Sequence, residues 1–361
     1  MKAHIVNRLS SLLVLVPFLF FVISCEGPMG QAGEDGIAGV DGINGIDGDV
    51  TCQACHSTGI IQDVSSQFVE SIHSSGEVAV SYAGGRSYCA RCHSHEGFRE
   101  FVDTETVSGN ITAPSAWECA TCHQLHETFA DSIDWNRRIT APVSFIFDDA
   151  VTADFGEGNI CATCHQSRRA EPNITDPGTE FEITSTHYGP HHGAQSNVLY
   201  GAGMAEIAGS MAYDDPGSAT HFSGASCTSC HMGEYDGGTG GHTFYPSVSS
   251  CTACHAGATD FDINGVRTAI KVQLDTLQSL LLSQGVIEEA VEEIFELDEE
   301  TGDIIPVLVS DGYHPVVGTF TMAQSQAFFN WIGLLEDRSL GVHNPAYYEA
   351  LLTNSIEAIQ P

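Results

Sequence analysis

The chain has 361 residues, 47 of them acidic and 12 basic, for a formal net charge of −35. That balance excludes DNA, RNA or an anionic lipid surface as the main partner, because such binders need a basic footprint. Hydrophobic content is ordinary, yet the chain holds 17 His and 13 Cys, which points to a folded, exported protein built around bound metal.

In chain order, residues 1–24 read first, as a signal peptide. Lys2 and Arg8 supply its positive region, and Leu9 to Ile23 is an apolar stretch that is short for a bilayer span. The run closes Val22-Ile23-Ser24-Cys25, which resembles a bacterial lipobox. That resemblance implies that Cys25 is lipidated and becomes the mature N-terminus; the alternative is a retained N-terminal anchor. Glu26 follows, not Asp, and by the same resemblance this favours the outer membrane or cell surface. Gly27, Gly30, Gly33, Gly36, Gly39, Gly42, Gly45 and Gly48 then form eight Gly-X-Y triplets that resemble collagen. Pro28 is their only proline. A flexible tether is therefore favoured over a trimerising stalk, and residues 25–50 are read as lipidated Cys plus tether.

The body carries C-x-x-C-H six times. The copies are Cys52-Gln53-Ala54-Cys55-His56, Cys89-Ala90-Arg91-Cys92-His93 and Cys119-Ala120-Thr121-Cys122-His123. The other three are Cys161-Ala162-Thr163-Cys164-His165, Cys227-Thr228-Ser229-Cys230-His231 and Cys251-Thr252-Ala253-Cys254-His255. They use every Cys except Cys25. Covalent attachment of haem c needs two thiols that reach the two vinyl groups of one porphyrin, and a following His that meets the iron from the same turn. Neutral imidazole is a suitable donor for that iron. A redox dithiol requires neither six copies nor a fixed His. Cys227, Cys230, Cys251 and Cys254 approach zinc-ribbon spacing, but a ribbon gives no reason for His after every second Cys. The expectation is six covalent haems c, with His56, His93, His123, His165, His231 and His255 as proximal ligands.

With these motifs, residues 51–361 resemble the multihaem c-type cytochromes. Further strings resemble the group related to the ammonia-forming nitrite reductases. They are Pro190-His191-His192-Gly193-Ala194-Gln195, Ala219-Thr220-His221, Cys230-His231-Met232, Gly240-Gly241-His242-Thr243-Phe244 and Leu340-Gly341-Val342-His343-Asn344-Pro345. The resemblance implies distal iron ligands at His73, His126, His191, His221, His242 and His343, with His187, His192 and His314 in reserve. Local chemistry supports two of these. Asn344-Pro345 reads as an N-cap with Pro at the first helical position, which sets His343 at a rigid corner. The glycines ahead of His242 let backbone approach a flat porphyrin closely. His95, two residues after His93, is poorly placed for the far side of its own haem.

The expected fold is mainly α with extensive loops and few or no strands. The haems form much of the core of a hexahaem domain at 51–265, with a short helix at each motif. A helical C-terminal region, 266–361, packs on that domain. Within it Val266, Ile270, Leu274, Leu277 and Leu281 predict an amphipathic helix ending near Gly285. The nine acidic residues of 288–303 read as a solvated face. Phe328, Phe329, Trp331, Ile332, Leu334 and Leu335 predict a second helix, and a third starts at Pro345. These helices are core or a self-association surface.

Full bis-His ligation implies an electron-transfer protein with no catalytic residue. It would hand electrons to other redox proteins or extracellular acceptors, held to the membrane by its lipid. The alternative is a reductase of nitrogen or sulfur oxyanions with one open iron. The nitrite reductases mark their catalytic haem with Lys in place of the motif His, and none of the six copies has it. Basic candidates for an anion pocket are few: Arg91, Arg99, Arg137, Arg138, Arg168 and Arg169. Their ordinary use is in salt bridges, haem propionates included.

Overall fold

Short helices carry the motifs, at Ser87–His93, Cys119–Cys122, Asn159–Ala162, Cys227–His231 and Val248–Cys251. The spacing explains why. One helical turn lets the motif His donate its N–H to the carbonyl of the first Cys, as His123 does to Cys119 at 3.0 Å, His165 to Cys161 at 2.9 Å and His255 to Cys251 at 2.8 Å. Both thiols and the imidazole are thereby fixed by a single turn. The computed structural model describes residue 56, residues 59–125, 127, 135–172, 176–297 and 304–361, with the backbone alone at 292–297 and 304–311. The signal peptide, Cys25, the Gly-X-Y segment, Cys52, Cys55 and His126 lie outside the described residues.

Three helices occupy the tail. Val266–Ser283 buries Ile270, Leu274, Leu277 and Leu281, the stripe read from the sequence. Met322–Asp337 starts at a capping box in which the Thr321 side chain accepts from the Gln324 N–H and Gln324 reaches back. Pro345–Ile359 starts at Asn344, whose side chain accepts from the Tyr347 N–H. Their shared core holds Phe328, Phe329, Trp331, Leu334, Tyr348 and Leu351, each fully or almost fully buried. Each such side chain contributes roughly 1.5–3 kcal/mol by leaving water. Val198, Met204, Ala205 and Ile207 complete the same core, so the tail is packed against the long interval between Cys161 and Cys227. A smaller cluster of Val143, Phe145, Ala153, Phe155, Ala162 and Leu199 sits under the Cys161 motif.

Strands are few. β1 (Val143–Ser144) pairs with β2 (Thr152–Ala153), and β3 (Glu180–Ile183) pairs antiparallel with β6 (Gly318–Thr321). The acidic run is solvated where its side chains are described, at Glu288 and Glu289. The departure from the expected helical tail is that it lies on strand β4 (Ile287–Leu297), paired antiparallel with β5 (Ile304–Pro315). Gly285 closes the preceding helix in the left-handed region, and Ile304, Ile305, Val307 and Val309 supply the β-branched partner strand. The root of this hairpin is buried at Val286, Ile287 and Pro315. No helix among the described residues is long and apolar enough to cross a membrane.

Candidate haem centres

Five motif histidines each face a histidine from outside the motifs. Ring centroids lie 6.0 Å apart for His165 and His73, 6.0 Å for His93 and His191, and 6.3 Å for His123 and His242. They lie 6.3 Å apart for His231 and His343, and 6.2 Å for His255 and His221. A metal–imidazole bond of about 2.0 Å plus about 1.15 Å from ring nitrogen to centroid would set two imidazoles sharing one iron about 6.3 Å apart. The spacing of all five pairs therefore fits an iron between them. His73, His191, His221, His242 and His343 are the five expected distal residues that lie among the described ones. His95 instead binds Thr121 Oγ1 through Nδ1 at 2.7 Å, tying two motifs together. His192 pairs with Glu336, and His187 and His314 face each other rather than a motif His.

The far nitrogens of five of these rings are held too, which fixes tautomer and orientation there. His123 Nδ1 donates to Trp135 O at 2.6 Å and His231 Nδ1 to Phe244 O at 2.8 Å. His165 Nδ1 lies 3.2 Å from Gln195 Oε1, and His221 Nδ1 donates to Val342 O. His343 differs. Its Nδ1 sits 2.7 Å from Oδ1 of Asp337, a buried carboxylate that also accepts from Tyr348 Oη at 2.8 Å and from Ser339.

Burial keeps most of these imidazoles neutral, the form that binds metal. It pushes His73 down to about 4, with His165 adding to the shift. It pushes His191 down to about 3, helped by Arg168, His192 and His93. His93, His165, His231 and His242 are lowered by burial as well. At His343 burial acts in the same sense, but the charge and hydrogen bond of Asp337 outweigh it and raise the pKa.

Two further observations fit a propionate-bearing group. The Nε atom of Arg91 is buried without a hydrogen-bond partner, a costly state for a guanidinium unless an anion meets it. Arg168 lies close enough to His93 and His191 to lower both.

The motifs pack against one another. Cys92 Sγ reaches Thr163 O at 4.0 Å and Cys164 Sγ reaches Arg91 O at 3.8 Å, while Cys227 Sγ reaches Gly158 O, just ahead of the Cys161 motif, at 3.9 Å. Phe244 joins two more centres, with its ring 5.1 Å from His73 and 5.9 Å from His242. Ser250 Oγ donates to Cys230 O at 3.4 Å, bringing the last two motifs together. The Cys161 motif thus touches that of Cys89 directly, meets that of Cys227 at Gly158 and reaches that of Cys119 through Phe244.

Gly158 is required by this packing. A Cβ there would lie 2.5 Å from Cys227 Sγ and 2.9 Å from its Cβ. Gly158→Ala is expected to destabilise the protein by about 1–3 kcal/mol and to lower haem attachment at Cys227. Thermal unfolding and haem per chain measure this; an unchanged value of both would refute it.

No protein-family model matches the chain, and no curated protein matches it. Among solved structures it is similar to a crystal structure of an outer cell wall cytochrome, OcwA, with a TM-score of 0.50 and 18% identity, covering 81% of this chain and 50% of that one. The chain spans about half the length of that structure. The likeness is one of fold: mainly helical and rich in loops.

Proposed function

We propose that the chain is a hexahaem c-type cytochrome that conducts electrons at the cell surface. The observation that carries this reading is the set of five His–His pairs at iron-bridging distance. In this reading the twelve motif cysteines hold haem covalently, and His56, His93, His123, His165, His231 and His255 are proximal ligands. His73, His191, His221, His242 and His343 are distal ligands to His165, His93, His255, His123 and His231 respectively. His126 is left as the partner of His56. Bound haem supplies a one-electron couple. The chain's own residues fill both axial positions, shield the rings from water and set each potential through the group behind each imidazole.

The leader, Cys25 and the Gly-X-Y segment support a lipid-anchored, outward-facing location. The resemblance in fold to a protein named for the outer cell wall supports the same location. The partners are then other redox proteins or extracellular acceptors. The five pairs leave the oxyanion-reductase alternative only the haem of Cys52, Cys55 and His56.

The test combines a pyridine haemochrome assay with low-temperature EPR of the oxidised, purified protein. Six haems per chain, all low-spin, are expected. His191→Ala should then convert one of the six to a high-spin, ligand-accessible form. High-spin signal from one haem in the unaltered protein would move the reading to the reductase, to be tried with nitrite and hydroxylamine. No haem at all would sink both readings.

A further inference from the structure

One histidine pair belongs to no C-x-x-C-H motif. His187 and His314 lie far apart in sequence, yet their ring centroids are 6.5 Å apart with planes at 49°. Each is held by a neighbour sunk in the same core. Tyr188 stacks on Phe328 at 5.8 Å, and Tyr313 meets Trp331 edge-on at 6.5 Å. The backbone is fixed on both sides as well. His187 N–H donates to Ser185 Oγ at 3.1 Å, and beyond His314 the chain is pinned by the buried Pro315 and a bond from Val316 N–H to Val286 O. The two imidazoles are therefore presented at a set spacing on an accessible surface, with His187 exposed and His314 half-buried. Such presentation lowers the ordering cost of binding.

We infer that His187 and His314 form a site for one divalent transition ion that accepts trans imidazoles, of the Cu(II) or Ni(II) class. The spacing selects the class. Trans imidazoles on one ion stand about 6.3 Å apart, whereas a tetrahedral zinc site would draw them to about 5 Å. Tetragonal geometry with nitrogen and oxygen donors is the preference of Cu(II) and Ni(II). Among the described residues no third His, Cys, Asp or Glu is already gathered with the pair; Glu288 is opposite His314 in the β4–β5 register and exposed, the nearest carboxylate by register, and water fills the remaining positions. The ion would tie the root of the β4–β5 hairpin to the loop that leads into Pro190-His191. The site is independent of the haem reading, since neither His serves a motif.

The test is calorimetric titration of untagged holoprotein with Ni2+. One Ni2+ per chain is expected to bind, and His187→Asn and His314→Asn should each weaken that binding by more than about 10-fold. Glu288→Gln should weaken it less. Both His variants should keep the wild-type haem spectrum, which separates loss of the site from misfolding. Absence of binding in the wild type, or wild-type binding in either His variant, would overturn the proposal.

Discussion

A chain with Cys161 and Cys164 both changed to Ala should pass electrons from the haem of His93 to that of His255 slower by an order of magnitude or more. The reason is position. The Cys161 motif contacts the Cys89 motif through Cys164 with Arg91 and Thr163 with Cys92, and Cys227 rests on Gly158 just ahead of it. Its facing histidine, His73, shares Phe244 with His242 at the third centre. Removing that haem opens a gap between neighbours that otherwise meet through it, and tunnelling falls steeply with edge-to-edge distance. A milder variant guards against misfolding: His73→Met leaves the iron six-coordinate but raises its potential, since Met/His ligation favours the reduced state. Electrons then collect at that centre, and conduction drops with the haem count still six. Conductance through single molecules or adsorbed films reads both variants. Cys251→Ala with Cys254→Ala is the control, because the last motif touches the array at one end and passage between the His93 and His231 haems should survive its loss. Unchanged conductance in both the Cys161/Cys164 and the His73 variants would remove the central placement of this haem.

Much of the site was legible because it is written locally. One helical turn binds His123, His165 and His255 each to the first Cys of its motif, so these motif turns could be placed from spacing alone. The same holds for His343. The Asn344 cap and Pro345 start the last helix where the sequence indicates, and they leave His343 on the fixed turn ahead of it. The tail helices were readable from apolar period because they have an ordinary side-chain core.

What the sequence did not carry is what distant segments do to each other. Nothing near His73 says that it meets His165 rather than His93; that choice follows from Trp117 and Phe244 closing around its ring. The acidic run at 288–303 was read as solvated, but its strand was missed because charge was weighed above pattern. Glu288 and Glu289 are exposed, as charge requires, but the chain there is extended by pairing with β5. The β-branched run at 304–309 was the overlooked signal. Asp337 had none: an acidic residue at the end of an amphipathic helix is ordinarily solvated, and only the fold turns it inward against His343.

That carboxylate makes the last prediction. Asp337→Asn should raise the midpoint potential of the His231–His343 haem by on the order of 50–100 mV and leave the others nearly still. A carboxylate accepting the Nδ1 proton pushes electron density onto the ligating nitrogen and favours ferric over ferrous iron. Hydrogen bonds to charged groups are worth about 1.5–3 kcal/mol, and if about 1.2–2.4 kcal/mol of that distinguishes the oxidation states, at about 59 mV per 1.4 kcal/mol for one electron a shift of about 50–100 mV follows. Asn keeps an acceptor for His343 at 2.7 Å but removes the charge and the Oδ2 oxygen that accepts from both Tyr348 and Ser339. A stability loss of about 1–3 kcal/mol accompanies the change for that reason. The other described pairs set carbonyl or amide oxygens behind their rings where a partner is seen, so the His231–His343 haem should be among the lowest in potential. It is therefore suited to the strongly reducing end of the route rather than to handing electrons outward. An EPR-monitored redox titration of both proteins decides it. If no haem moves, Asp337 is only a packing residue; if all move together, the effect is one of overall charge and not of the carboxylate behind His343.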